Sequence, residues 1–257
     1  MVSFDFSGKN VVVTGASRGI GRAVAIKMAE AGARVLVHFQ KNKKAAAETL
    51  RLMSQPKRGS HFALRADLAD PAAIREMVDE IDKEFEKVDI LVNNAGIFEP
   101  QAIDMNFDDW ADAWQNTINV NLMGAVHLTY HIARRMVKSG GGKIVNVSSR
   151  GAFRGEPDHP AYGASKAALN AFGQSMAVKL APDNVQVFTL APGFVETDMA
   201  EDFLKGDTGE AILKQYPGGK VASPEEVANA VCYFASQGQE MASGAILDLN
   251  GASYLRS

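Results

Sequence analysis

The sequence has a single cysteine, Cys232, in 257 residues. That excludes an internal disulfide. With no Cys/His cluster around it, no metal site is expected either. No apolar run is long enough to span a bilayer. The N-terminal "MVSFDFSGKN" lacks the basic, apolar and small-residue order of a secretory leader. Charge of one sign is missing as well. Lys and Arg number 27 against 30 Asp and Glu, a net charge of -3, so no global basic field points to nucleic acid or an anionic membrane. These absences predict a cytoplasmic protein with neither nucleic acid nor membrane as partner. One further absence is local: no Asp or Glu occurs between Glu30 and Glu48.

What is present fills a globular core. Hydrophobic residues make up 46% of the chain and charged residues 22%, ordinary values for a soluble domain. Short β-branched runs recur as "NVVVTG", "ARVLVHF", "HFALRAD", "DILVNN", "KIVNVS", "VQVFTL" and "AILDLN", with helical patterns between them. In the clearest of these, Asp70 caps, Pro71 takes the first helical position, and Ile74, Met77, Val78, Ile81 and Phe85 form one stripe. The strands read as continuous apolar segments, which fits a sheet covered on both faces. The alternation predicts an α/β fold, a Rossmann-type doubly wound parallel sheet with helices on both faces. No linker or repeat interrupts it, so 1–257 reads as one domain.

In such sheets ligands bind beyond the carboxyl ends of the strands, and the chemistry-bearing residues fall there. The first strand runs into "TGASRGIG", where Gly15, Gly19 and Gly21 precede a helix. Glycines so placed allow a tight turn and close approach to a pyrophosphate at a helix N-terminus, although strand-to-helix glycines also serve as plain turns. After the second strand an NAD site usually offers a carboxylate, roughly twenty residues beyond the glycines. This chain offers none there. Arg18, His38, Gln40 and Lys41 supply donors and positive charge that suit a 2′-phosphate, while Lys43 and Lys44 read as solvated. NADP(H) is therefore the preferred cofactor, with NAD(H) as the alternative.

"AYGASKAALNAF" places Tyr162 and Lys166 one turn apart on a helix of small apolar residues. A phenol and an ammonium on one buried face each need a partner or a task. Alone, the pair reads as a packing tyrosine and a snorkelling lysine.

The ordered set "TGASRGIG", "ADL", "NNAG", "NVN", "VNVSS", "YGASK" and "PGFVETDM" resembles the short-chain dehydrogenase/reductase family over nearly the whole chain. It is similar to the single-domain branch of about 250 residues. The glycine loop and the length of a lid at about 199–217 are similar to those of 3-oxoacyl-carrier-protein reductases. The resemblance implies an oxidoreductase transferring hydride between nicotinamide and a carbonyl or secondary alcohol. Its catalytic residues would be Asn121, Ser149 (thirteen residues before the tyrosine), Tyr162 and Lys166. It implies cofactor contacts from Gly15, Ser17, Arg18, Gly19, Ile20, Gly21 and Gln40, from Asp67 and Leu68, and from Asn94, Ala95 and Gly96. Pro192, Gly193, Val195 and Thr197 complete that set, joined by Tyr162 and Lys166. In the family the lysine also holds the nicotinamide ribose, and the asparagine helps hold a water for proton relay. A nearby ammonium is expected to lower the phenol's pKa from about 10.

Phe203, Leu204, Ile212 and Leu213 offer an apolar lid lining. Arg150 and Arg154 read as solvated loop arginines, or as a greeting for an anionic carrier. The expected substrate is a small-molecule or acyl-thioester carbonyl, such as a 3-oxoacyl thioester. The alternatives are a sugar, polyol or other alcohol dehydrogenase and a non-enzymatic NADP-sensing module. Two long segments rich in small residues, Phe107 to Val137 and Tyr162 to Leu180, resemble the helices that family members pair between subunits. That resemblance implies a homotetramer.

Overall fold

The computed structural model describes residues 3–56, 59–200 and 203–256. Seven strands form one parallel sheet in the order β3-β2-β1-β4-β5-β6-β7. They are β1 (Asn10–Val13), β2 (Arg34–Phe39), β3 (Phe62–Arg65), β4 (Ile90–Asn93), β5 (Gly142–Val147), β6 (Val185–Pro192) and β7 (Ile246–Leu249). Each falls on one of the runs that the sequence singles out, β5 beginning one residue before its run and β6 ending two residues after. Strand order reverses between β1 and β4, which pair through Val11↔Ile90, Val12↔Leu91 and Val13↔Val92. That switch point is where a doubly wound sheet opens a crevice at the carboxyl ends.

The helices are α1 (Gly19–Glu30), α2 (Lys43–Leu52), α3 (Pro71–Glu84), α4 (Phe107–Ile118), α5 (Gly124–Lys138), α6 (Gly151–Arg154), α7 (Pro160–Leu180), α8 (Gly206–Leu213) and α9 (Pro224–Ala235). Alternate side chains of each strand bury on opposite faces. Val11, Val13, Val35 and Val37 pack with Val24 and Met28 of α1 and Val231 of α9. Val12, Leu36, Leu91 and Ile144 pack with Ile74 and Ile81 of α3 and Leu128 and Ile132 of α5. Both faces are dry, which is why the strands read as unbroken apolar runs. Helix α3 starts as its sequence dictates: the Asp70 carboxylate accepts from Ala72 N–H at 2.8 Å and Pro71 takes the first helical position. Cys232 lies inside the first core, and burial pushes its thiol up to about 12. Among the described residues no helix is long and apolar enough to cross a membrane.

The long segment after β4 departs from expectation. It is not one α-helix: a single π turn, Asn119–Met123, separates α4 from α5. Such turns widen the helix by one residue and are frequent at functional sites. This one carries Asn121 at its centre, fully buried.

Candidate active site

A cleft of about 580 Å³ runs along the carboxyl ends of the strands, from Gln40, Lys41 and Asn42 to Tyr162 and Phe203. The turn after β1 forms its floor. Gly15 has φ +62 and Gly19 has φ +53, a region where L side chains are strained. Gly21 is required for space alone, since a Cβ there would lie 2.3 Å from the Gly15 carbonyl oxygen. Thr14 and Asn94 lock this turn to β4. Thr14 Oγ1 accepts from Asn94 N–H (2.9 Å) and Ala95 N–H (3.0 Å). Asn94 Nδ2 donates to the carbonyls of Thr14 (2.8 Å) and Gly15 (3.2 Å).

Helix α1 begins with no side-chain cap and no acid in its first turn, so its first N–H groups are free for an anion. Ser17, Arg18, Ile20 and Thr197 line the cleft around it. Thr197 faces Gly19, where an added Cβ would come within 3.2 Å of its methyl. A side-chain-free cradle, uncapped N–H groups and a long cleft fit the pyrophosphate of a dinucleotide.

The outer end differs from the sequence reading. Arg18 is exposed and pairs at 3.7 Å with Asp198, on the loop after β6. His38 is no surface donor. It is buried in β2, where Nδ1 accepts from Gly15 N–H (3.1 Å) and Nε2 bonds the Ala66 carbonyl (3.2 Å). Burial lowers it to about 4. A neutral imidazole therefore holds the glycine turn and offers a phosphate no charge. Asp67 lines the cleft beyond β3 and accepts from Ala69 N–H at 3.0 Å. Leu68 is buried beneath it, against Gly124 of α5.

At the inner end Lys166 is buried, its Nζ donating to the Val147 carbonyl at 2.9 Å and lying 5.7 Å from the Tyr162 ring centroid. The half-buried Tyr162 shares a hydrogen bond with Ser149. Ser148 points away and donates to the Lys166 carbonyl at 3.2 Å. Counting thirteen residues back from the tyrosine thus lands on the serine that meets it. Burial lowers Lys166 to about 8. Burial also pushes Tyr162 up to about 12, opposed by the Ser149 hydrogen bond. The expected lowering of the phenol by the ammonium is not found: burial dominates, and the groups that act on the phenol are Ser149 and Glu156. Tyr162 is held protonated, the form that can donate to a carbonyl oxygen.

Asn121 ties the loop after β4 into the site. Its Oδ1 accepts from Ile97 N–H (2.8 Å) while Nδ2 donates to the Ile97 carbonyl (2.9 Å). A Cβ on Gly96 would sit 3.3 Å from Asn121 Oδ1 and 3.5 Å from Lys166 Nζ, so glycine keeps that gap open. After β6, Gly193 N–H donates to the Leu249 carbonyl (3.0 Å), and a Cβ there would strike the Tyr216 hydroxyl at 2.4 Å. Pro192 accepts from Arg150 N–H (2.8 Å), and the buried Val195 bridges to Ala222.

Several residues that sequence reasoning missed shape the substrate end. Phe98 stacks on His159 with ring centroids 3.6 Å apart and meets Tyr162 edge-on at 4.7 Å. Phe203 meets Phe98 at 5.6 Å. Of the proposed lid lining only Phe203 reaches the cleft. Ile212 is buried with Tyr216 and Val221, Leu204 packs on that cluster, and Leu213 is exposed. Glu201 and Asp202 of the lid lie outside the described residues. Arg150 is not solvated: it is buried, donates to Ser253 Oγ at 2.6 Å, and lies over the Phe194 and Tyr216 rings. Arg154 is held by Gln215 Oε1 at 2.7 Å.

Comparison with known proteins agrees with this geometry. Residues 9–207 match the short chain dehydrogenase family model. The chain is 37% identical to the 3-oxoacyl-[acyl-carrier-protein] reductase FabG of Escherichia coli, covering 98% of this chain and 99% of that one. It is 35% identical to D-threitol dehydrogenase of Mycolicibacterium smegmatis, covering 97% and 95%. A short-chain type dehydrogenase/reductase from Mycobacterium ulcerans superposes with a TM-score of 0.89 at 25% identity, covering 98% and 91%. A protein assigned as an NAD(P) dependent gluconate 5-dehydrogenase from Beutenbergia cavernae, solved with NADP at low occupancy, gives 0.86 at 32%, covering 98% and 99%. Motif order, sheet topology and the juxtaposed serine, tyrosine and lysine therefore agree: the chain belongs to the short-chain dehydrogenase family of nicotinamide-dependent oxidoreductases.

Proposed function

We propose that this protein is an NADP(H)-dependent oxidoreductase that interconverts a carbonyl and a secondary alcohol. The observation that carries the reading is the Ser149–Tyr162–Lys166 group, with its lysine buried, at the end of a dinucleotide-shaped cleft. In reduction, Ser149 and Tyr162 hold the carbonyl oxygen and the Tyr162 hydroxyl gives it a proton. Lys166 resupplies that proton through a water in the gap beside Gly96, next to Asn121. A bound nicotinamide supplies the hydride, held along Gly15, Ser17, Gly19, Ile20 and Gly21, along Asn94, Ala95 and Gly96, and by Val195 and Thr197. Asp67 and Leu68 receive the adenine, and Pro192 and Gly193 fix the turn that carries Val195. Arg18, helped by Gln40 and Lys41, takes the 2′-phosphate.

Among substrates, 3-oxoacyl thioesters are favoured by the relatives' names, and polyols by another relative. The carboxylate of Glu156 in the cleft favours the second class. An NADP-sensing role without catalysis leaves the proton donor without purpose. We take 1–257 as one domain with a lid at about 199–217, working as a cytoplasmic homotetramer paired through α4, α5 and α7. The test is NADPH oxidation, or its reversal, across ketones, oxoacyl thioesters and polyols. Turnover with at least one class is expected, and inertness towards all of them contradicts the reading.

A further inference from the structure

Glu156 is an unexpected acid at the catalytic end of the cleft. It lines the same cavity as Ser149 and Tyr162, with its side chain packed on the Gly151 backbone. Among the described residues none forms a hydrogen bond or ion pair with its carboxylate. The two arginines close enough to act on it are engaged elsewhere, Arg150 with Ser253 and Arg154 with Gln215. Burial raises the carboxyl above the usual range, and its charge in turn raises Tyr162. An acceptor with free lone pairs, in a cleft also lined by Phe98, Phe194 and Phe203, is costly to desolvate unless the ligand brings a donor.

We infer that Glu156 is a specificity-determining residue that accepts a hydrogen bond from a second hydroxyl of a neutral, polyhydroxylated alcohol or ketone. A substrate carboxylate would meet like charge. The acyl part of a 3-oxoacyl thioester brings no donor beside the reacting carbonyl, and the one it gains on reduction is taken by Ser149 and Tyr162. The inference rests on the hydride-transfer reading above and names the substrate class of that site. In the oxidative direction the carbinol C–H leaves as hydride to the oxidised nicotinamide and the hydroxyl proton leaves through Tyr162. Glu156 orients the substrate and takes no part in that step.

The test compares kcat/KM for butane-2,3-diol, butan-2-ol and, in reduction, a 3-oxobutanoyl thioester, in wild type, Glu156→Gln and Glu156→Leu. A site built to hydrogen-bond a hydroxyl rejects the analogue lacking it. Wild type should prefer the diol over butan-2-ol by about tenfold or more. Glu156→Gln should shrink that ratio severalfold and Glu156→Leu should abolish it, mainly through KM. NADPH titration checks that each variant is folded, and Glu156→Gln, nearly isosteric, decides the matter if the leucine variant is not. A diol ratio unchanged in Glu156→Gln, or a wild type that favours the thioester over the diol, overturns the inference while hydride transfer stands. No turnover of any of the three overturns the inference, and inertness towards the wider panel of ketones, oxoacyl thioesters and polyols overturns both.

Discussion

Replacing Gly21 by alanine isolates the glycine cradle from everything else in the site. Gly21 has no left-handed conformation to protect, so the substitution tests space alone. The new Cβ would lie 2.3 Å from the Gly15 carbonyl oxygen and 2.6 Å from Asn94 Nδ2, and something must move by about 1 Å to restore contact distance. Overpacking of this kind costs about 1–3 kcal/mol. Alanine returns about 1 kcal/mol of helix propensity, leaving a net loss of up to about 2 kcal/mol. For a chain of this size that lowers Tm by up to about 8 °C. Function should suffer more than stability, because the atoms that yield are the turn itself and the amide that pins it. Losing one charge-assisted hydrogen bond to a pyrophosphate weakens NADPH binding about tenfold or more. Gly218→Ala is the control, since it has ordinary φ and nothing within 4 Å of an added Cβ. Calorimetric NADPH titration and thermal melts read both quantities. A Gly21→Ala protein that binds NADPH like wild type would refute the steric account of the loop.

Three further outcomes follow from the same geometry. Arg18→Ala should weaken NADPH binding about tenfold and leave NADH nearly unaffected; equal wild-type affinity for the two cofactors contradicts the 2′-phosphate role. Asp198→Asn, by freeing Arg18 from an exposed pair of modest strength, should tighten NADPH by a few-fold at most, and a looser complex contradicts that pairing. The third concerns Lys166, whose pKa in the folded chain falls from 10.5 to about 8. The unfolded state therefore binds more protons between about pH 8 and 10.5, and stability rises with pH across that window. Below it the buried ammonium costs up to about 3 kcal/mol, so Lys166→Met should raise the pH 7 Tm by several degrees, less the lost bond to Val147, while removing activity; a lower Tm contradicts this.

The sheet was legible because covered strands need unbroken apolar runs, and α3 because its cap, proline and stripe are all local. Helix spacing alone puts Tyr162 and Lys166 together, while their role was legible only through the family resemblance. The π turn at Asn121 was not, since a one-residue widening of hydrogen-bond spacing leaves no mark on residue type. His38 misled because a histidine near the end of a strand reads as a surface donor, and its partners Gly15 and Ala66 lie in other loops. Arg150 misled similarly: the rings that cover it, Phe194 and Tyr216, belong to distant segments. Glu156 carries no motif, and only the cavity shows that it lines the same cleft as Ser149 and Tyr162. Pairwise contact across loops is what sequence spacing does not encode.

The most direct test of the central claim is turnover by Tyr162→Phe, measured beside its affinity for NADPH. The substitution removes one hydroxyl and keeps the ring against Phe98 and Lys166. If Tyr162 is the proton donor, turnover falls about 10²–10⁴-fold while NADPH affinity and melting temperature stay near wild type. Turnover within about twofold of wild type would contradict that role, and with it the mechanism assigned to the site.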